Sequence, residues 1–472
     1  LSLSPIILLV VLLFSAVQLF GADASYGPNQ VALLIASAAA GLVGMYRGLT
    51  WAEVQDSMVA GIRVGLGPIL ILLAVGGLIG SWMVAGTVPA MIYYGVSILN
   101  PSIFFAAAAI ICALASISIG SSWTVAGTLG IGLIGIADSY GLSPAMAAGA
   151  IISGAYFGDK LSPLSDTTNL AAACTNVDLF AHIRHMLWTT VPAFCLALIF
   201  FFMIDSGAAT APEQIAELRS AISAEFNVGV GVLIPLVVML GLIWWRVPAY
   251  PAIMLATLAG VLTAVTLQTA VVEKFALNAN PDATVPLIEG LWRTLFAGFE
   301  GTTSNEELNR LISKGGIASM LNTVWLILSA LAFGGVLERT GILKQILDAV
   351  LKAVKSTGDL VLATVTGGFV TNILAADQFL AIALPGRLFS STYDDFRLSR
   401  ENLSRTLEDS ATMTSALIPW NTCGAYMAAT LGVATFEYAP YAIFNIACPL
   451  IAIAFGYLMF QQKPAEAATS SA

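Results

Sequence analysis

Gly154-Ala-Tyr-Phe-Gly-Asp-Lys-Leu-Ser-Pro-Leu-Ser-Asp-Thr-Thr-Asn-Leu170 is the stretch on which the fold turns. It sets Asp159, Lys160, Ser162, Ser165, Asp166, Thr167 and Asn169 around Pro163, between apolar segments. Pro163 removes a helix hydrogen bond, Gly158 permits unusual backbone angles, and the Ser, Thr and Asn side chains satisfy the groups so freed. Such a stretch reads as a discontinuous helix at membrane depth. A second one is Leu407-Glu-Asp-Ser-Ala-Thr-Met-Thr-Ser-Ala-Leu-Ile-Pro-Trp-Asn-Thr-Cys423, interrupted at Pro419.

The composition places both breaks in a bilayer. Of 472 residues, 58% are hydrophobic and 10% charged, where soluble domains carry about a quarter charged residues. The expected class is an all-α polytopic membrane protein. With 19 Lys and Arg against 28 Asp and Glu, scattered basic residues and a net charge of −9, no cationic surface for nucleic acid is available. Cys112, Cys174, Cys195, Cys423 and Cys448 lack CxxC spacing, which points to buried small hydrophobes rather than disulfides or zinc. No nucleotide fingerprint or nucleophile triad is present, so no enzyme chemistry and no cofactor are expected.

Uninterrupted spans of about 20 apolar residues are expected near 5–20, 30–46, 64–85, 186–204, 228–245, 250–268, 317–337 and 438–460. The first is read as a retained helix; a cleaved signal ending near Phe20-Gly-Ala-Asp-Ala-Ser is the alternative. Basic loops, among them Arg47 with Arg63, His182-Ile-Arg184-His185, Arg246, Arg339 to Lys355 and Arg387 to Arg405, go inside. The acidic loops 205–227 and 269–315 go outside, leaving both termini in the cytoplasm of a plasma (inner) membrane protein. His182 and His185 read as topology anchors, with pH sensing as the alternative use.

The halves resemble each other in order: Ala74-Val-Gly-Gly with Ala332-Phe-Gly-Gly, and Gly158-Asp159 with Glu408-Asp409. Equivalent helices run in opposite senses, which predicts an inverted-topology repeat, a signature of secondary transporters. The first repeat spans 1–205 and the second 228–462, joined by an external linker at 206–227 and followed by a disordered tail at 463–472. Each repeat adds a re-entrant hairpin, with tips at Ser116-Ile-Ser-Ile-Gly-Ser-Ser-Trp-Thr124 and Thr371-Asn-Ile-Leu-Ala-Ala-Asp377-Gln378. Unpaired backbone at that depth survives only if it is buried in protein or lines a watery cavity. The segment 341–356 and its counterpart near 88–100, bearing Tyr93 and Tyr94, read as interfacial.

Asp159, Asp166, Asp377 and Asp409 lie at these breaks, and inserting such a group costs roughly 2.5 to 3.5 kcal/mol even on the lenient scale. They are the candidate ion- and proton-binding carboxylates. Ser121, Ser122, Thr124, Ser162, Ser165, Thr167, Asn169, Thr412, Ser415, Asn421 and Thr422 are the candidate neutral oxygen ligands. Together they make a hard-oxygen constellation suited to Na+, and competition of H+ with Na+ for one carboxylate gives antiport. The structural alternative is that Lys160 neutralises Asp159 or Asp166 and holds the break together.

The stretch Ser153 to Ala172, with Leu407-Glu-Asp-Ser and Pro419-Trp-Asn-Thr-Cys-Gly-Ala, resembles the signature of NhaC-type Na+/H+ antiporters. The resemblance implies membership of the ion transporter superfamily: inverted repeats, two re-entrant hairpins, a scaffold and a transport domain moving as an elevator. The transport domain would hold 101–175 and 358–431, and the scaffold helices would make a homodimer. The implied function is exchange of cytoplasmic Na+ for external H+. Relatives similar to malate/lactate antiporters and amino-acid carriers keep an alternative open, a Na+- or H+-coupled exchanger of a small organic anion or amino acid. A passive channel is the third reading, against which the paired breaks argue.

Overall fold

The computed structural model describes residues 3–20, 24, 26–204, 212–303, 305–460, 462 and 464. Among them the regular structure is helical, with two isolated bridges, Phe299 to Lys314 and Leu398 to Pro464. Among the described residues seven helices are long and apolar enough to cross a membrane, or nine when each of two bent helix pairs counts as one span. The protein is thus an all-helical multi-span membrane protein: five of the eight expected spans fall on span-length helices, Pro28–Tyr46, Leu66–Val84, Leu179–Met203, Ala249–Leu267 and Ile317–Arg339, while Val230–Trp244 and Ile443–Tyr457 reach that length only as halves of bent pairs, Ser4–Phe20 is shorter, and Pro101–Ile119 and Thr357–Ala375, expected as hairpin arms, are the other two of span length. The tail 463–472, apart from Pro464, and positions 205–211 lie outside the described residues.

Leu66–Val84 is the central post, its second half almost wholly buried. Ala249–Leu267 and Pro286–Phe296 pack on it. Trp51–Val64 crosses Leu321–Arg339 at a point where side chains do not fit: a Cβ on Gly335 would stand 2.2 Å from the Ser57 carbonyl oxygen, and one on Gly61 2.3 Å from that of Leu331. Gly334 meets Ala375 in the same way, at 2.7 Å from its carbonyl oxygen. These close backbone approaches are the small-residue packing typical of membrane helices.

Two regions read as loops are largely helical. Pro212–Glu225 lies within the expected linker, and Thr269–Ala279, Pro286–Phe296 and Glu306–Ile312 lie within the expected loop 269–315. Each is too short to span, so a search for spans passes over them. Val271, Val272, Phe275 and Ala276 are nevertheless buried in the packing of Thr269–Ala279. Tyr93 and Tyr94 contact the first of these regions: the Arg219 guanidinium lies 4.4 Å from the Tyr93 ring centroid, and the Tyr94 hydroxyl donates to the Val228 carbonyl at 2.7 Å. Ile342–Lys352 has the expected two faces, with Ile342, Leu343 and Leu347 buried and Lys344 and Lys352 exposed.

The stretches 101–179 and 357–435 repeat one local structure at a fixed spacing of 256 positions. Phe104–Ile119 ends at Gly120 in the left-handed region, φ 73°, and Thr357–Ala375 ends at Ala376, φ 58°. The next residues, Ser121 and Asp377, are both extended N-caps, accepting from the amides of Thr124 and Leu380. Further on, Asp166–Thr175 is capped by left-handed Asn176 and Thr422–Leu431 by left-handed Gly432. Tertiary bonds repeat as well. Ser116 Oγ donates to the Ala155 carbonyl at 2.6 Å, and Asn372 Nδ2 to the Ala411 carbonyl at 2.6 Å. Both pre-break helices, Pro101–Ile119 and Thr357–Ala375, have 19 residues, each long enough to cross the apolar core.

Candidate functional site

The site is built where the breaks of the two stretches meet. Pro144–Leu161 stops because Pro163 follows, and Ser165 restarts the chain as N-cap of Asp166–Thr175. Ser122, at the first position of the helix after Gly120, reaches the end of Pro144–Leu161: its backbone N–H and its hydroxyl both donate to Asp159 Oδ2, at 3.0 and 2.7 Å. The equivalent pair in the other stretch is neutral, Ser415 Oγ donating to Gln378 Oε1 at 3.3 Å. Thr422 bridges the two breaks of its own stretch, its N–H donating to the Ala376 carbonyl at 3.0 Å.

Asp159, Asp166, Ser121, Ser122, Ser165, Thr167, Gln378 and Thr422 line a cavity of about 210 Å3 together with Gly67, Pro68, Ile71, Trp123, Ala249 and Phe379. Its wall carries two carboxylates and several hydroxyls but no Lys, Arg or His. Asp377 opens elsewhere, into a cavity of about 620 Å3 between its own hairpin, Trp51–Val64 and Leu321–Arg339. Its Oδ1 caps the helix through the Leu380 N–H at 2.8 Å, while Oδ2 has no hydrogen-bond partner among the described residues. Glu338 and Arg339 line the same cavity, and Arg339, half exposed, pairs with Glu53 at 2.9 Å.

Asp409 lies in neither cavity. It is fully buried and ion-paired with Lys160, and it accepts from Thr189 Oγ1 at 2.9 Å and Cys448 Sγ at 3.2 Å. Its neighbour Glu408 accepts from Thr167 Oγ1 at 3.0 Å, so Thr167 links the small cavity to this buried charge cluster. A short π-helical stretch, Glu408–Thr412, presents both carboxylates. His182 Nδ1 bonds Ser404 Oγ at 2.9 Å and His185 Nε2 bonds Asn402 Oδ1 at 3.0 Å, holding Leu179–Met203 against Arg400–Leu407.

The profile of the Na+/H+ antiporter family matches residues 154–460. The Na+/H+ antiporter NhaC of Alkalihalophilus pseudofirmus is 39% identical over 91% of this chain and 89% of its own. The chain belongs to the Na+/H+ antiporter family. It is a secondary transporter and not an enzyme. Two relatives with other printed names align as fully: the malate-2H+/Na+-lactate antiporter of Bacillus subtilis at 37% identity (91% and 89% covered) and the arginine/ornithine antiporter ArcD of Halobacterium salinarum at 35% (100% and 95%). Among solved structures, MtrF of Neisseria gonorrhoeae, described within a class of antimetabolite efflux pumps, aligns over 96% of this chain and 95% of its own, with a TM-score of 0.38 and 14% identity.

Of the residues singled out in the sequence of this antiporter-family chain, the small cavity gathers Asp159, Asp166, Ser121, Ser122, Ser165, Thr167 and Thr422. The others serve the breaks. Thr124 bonds Ser121 Oγ at 3.0 Å, Ser162 accepts from the Leu164 N–H, and Asn169 Nδ2 donates to the Pro163 and Ser165 carbonyls at 2.9 and 2.7 Å. Asn421 Nδ2 donates to Asn372 Oδ1 at 3.0 Å, and buried Thr412 accepts on its carbonyl from Ser415 Oγ at 2.7 Å. Lys160 pairs with Asp409, not with Asp159 or Asp166. Among the described residues no three of His, Cys, Asp and Glu converge as a metal-ion cluster; of the four aspartates, Asp159 and Asp166 share the small cavity while Asp377 and Asp409 lie apart from it. Gln378, Phe379 and Glu408 were not singled out. Glu408 stood beside Asp409 in the quoted break, and the adjacent acidic pair was the available signal.

Proposed function

We propose that the chain exchanges cytoplasmic Na+ for external H+, with the cation held in the small cavity by Asp159 and Asp166 and by the oxygens of Ser121, Ser122, Ser165, Thr167 and Thr422. The observation that carries this reading is the cavity wall, two carboxylates and several hydroxyls with no basic side chain. Carboxylate and hydroxyl oxygens are hard ligands, which favour Na+ over soft metals. An organic carboxylate would meet only like charge there. The fixed 256-position spacing supports a repeat, and the opposite senses read from the basic loops add the inversion, so that in this reading 101–175 and 358–431 form a transport domain moving as an elevator against the remaining scaffold helices. In this reading both termini are cytoplasmic and two copies pair through the scaffold, where Ile234, Val237, Leu240 and Trp244 offer an exposed apolar face.

A second reading has one specific observation in its favour. The cavity that Asp377 faces, about 620 Å3, lies within the range of small-molecule sites, about 300 to 1,000 Å3, so an organic solute fits there with Na+ or H+ as coupling ion. Proteoliposomes loaded with a pH dye separate the two. Collapse of an imposed pH gradient by Na+ or Li+ alone is the expected result. A response that requires malate, lactate or an amino acid overturns the first reading and supports the second.

A further inference from the structure

Glu408 is fully buried and stands behind the wall of the small cavity, not in it. Its Oε1 accepts from Thr167 Oγ1 at 3.0 Å. Thr167 Oγ1 in turn lies 3.1 Å from Ser165 Oγ, with either oxygen able to donate, and the Ser165 hydroxyl lies beside the Asp159 carboxyl. Ser165 and Thr167 both line the small cavity. An unbroken chain therefore runs from a carboxyl in the cavity through two hydroxyls to a carboxyl outside it. The chain is built once, because at the spacing of 256 positions Glu408 corresponds to apolar Ile152 and Thr167 to Cys423.

We infer that Glu408 is the proton site of the exchange, set apart from the cation site, and that Ser165 and Thr167 couple the two by reversing their hydrogen bonds. The inference rests on the proposed Na+/H+ exchange. A hydroxyl has one hydrogen to give, so the chain has two orientations. With Glu408 ionised, Thr167 donates to it and Ser165 donates to Thr167, which leaves a Ser165 lone pair and Asp159 free to ligate a cation. A proton delivered from the cavity to Ser165 Oγ sends the Ser165 hydrogen to Thr167 Oγ1 and the Thr167 hydrogen to Glu408 Oε1. Each hydroxyl gains one proton and loses one, and the net change is one proton on Glu408. Every bond then points the other way, and Ser165 presents its hydrogen to Asp159, where it opposes a cation. The other charged and titratable groups around Glu408 are Lys160 on Pro144–Leu161, Asp409 and Arg405 on its own segment, Cys448 on Ile443–Tyr457 and His185 on Leu179–Met203. The Lys160 charge is matched by Asp409, so Glu408 takes up or releases a proton without unbalancing that pair.

Two measurements on the purified protein in detergent test it, with melting as the check on folding. Equilibrium dialysis against radioactive Na+ reports binding, and a pH dye in weak buffer reports the protons released when saturating Na+ is added. The unaltered protein is expected to bind Na+ and release protons. Glu408→Gln is expected to bind Na+ and lose the release, because the amide does not titrate and the cavity wall is untouched. Thr167→Val keeps Glu408 but cuts the chain, and is expected to lose the release while Na+ binds more weakly. Thr167→Ser, which keeps the hydroxyl, is expected to retain the release. Release by Glu408→Gln equal to that of the unaltered protein overturns the inference, since the protons then come from the cavity carboxylates themselves. Release that survives in Thr167→Val overturns it as well, since the coupling then needs no hydroxyl chain. If Glu408→Gln does not fold, the two Thr167 variants decide, and if Thr167→Val binds no Na+, Glu408→Gln decides. Unaltered protein that neither binds Na+ nor releases protons overturns the cation reading and this inference with it, whereas failure in the variants alone overturns only the inference.

Discussion

Lys160 and Asp409, 249 positions apart, form an ion pair whose side chains are both fully buried. The pair ties the end of Pro144–Leu161 to the π-helical stretch Glu408–Thr412, and so joins the two breaks from within. Removing one partner of such a pair leaves an uncompensated charge and costs about 3 to 5 kcal/mol, whereas replacing both by apolar groups is often neutral. Asp409→Asn is therefore expected to lower the folded yield and the melting temperature in detergent, and Lys160→Met with Asp409→Leu to recover most of the loss. If Asp409→Asn melts like the unaltered protein and loses only exchange, Asp409 belongs to the ion path instead.

The bonds from Ser122 to Asp159 give a graded prediction. A hydrogen bond to a charged group contributes about 1.5 to 3 kcal/mol, equivalent to roughly ten- to a hundredfold in affinity. Ser122→Ala keeps the carboxylate but loses the hydroxyl bond at 2.7 Å. Its half-saturating Na+ concentration should rise by about tenfold or more while turnover at saturating Na+ persists. Asp159→Asn should stop exchange at every Na+ concentration tested. A Na+ dependence of Ser122→Ala that matches the unaltered protein would take Asp159 out of the cation site.

The spans and the two breaks were legible because hydropathy and proline act locally. The equivalence of the halves was legible only in outline. Pairing Gly158-Asp159 with Glu408-Asp409 followed the acidic residues, but at the fixed spacing Asp159 corresponds to Ser415 and Asp409 to Ser153. What the halves share is backbone shape, a left-handed residue followed by an extended N-cap, and Gly120-Ser121 and Ala376-Asp377 meet that need with different side chains. The partner of Lys160 was out of reach for another reason. Asp159 stands next to it and Asp409 far away in sequence, and only the packing of Pro144–Leu161 against Ile443–Tyr457 and its neighbours brings the distant carboxylate closer.

Close packing behind the site supplies a third prediction. A Cβ at Gly158 would stand 2.3 Å from the Ala113 carbonyl oxygen and 2.6 Å from the Ile117 nitrogen, and both obstacles are backbone. Gly158→Ala must therefore push Phe104–Ile119 away, with overpacking typically costing about 1 to 3 kcal/mol. Asp159 is the next residue, so the shift also draws it away from Ser122. Lower melting together with a raised half-saturating Na+ concentration is expected. Unchanged melting would mean that the two helices approach less closely than described.

Asp377 has two roles to separate, because it lines the larger cavity while one of its oxygens caps a helix and the other, buried, has no hydrogen-bond partner among the described residues. Asparagine caps about as well as aspartate, while alanine at an N-cap typically costs about 1 kcal/mol. Asp377→Asn should therefore melt like the unaltered protein and Asp377→Ala somewhat lower. If the free oxygen receives the cation on its way in, both variants lose exchange despite their different stabilities. If the residue is only a cap, exchange follows stability: Asp377→Asn transports normally and Asp377→Ala is impaired. Measuring melting and Na+-driven proton movement on the same two preparations distinguishes these outcomes, because the asparagine variant keeps the cap and removes the charge.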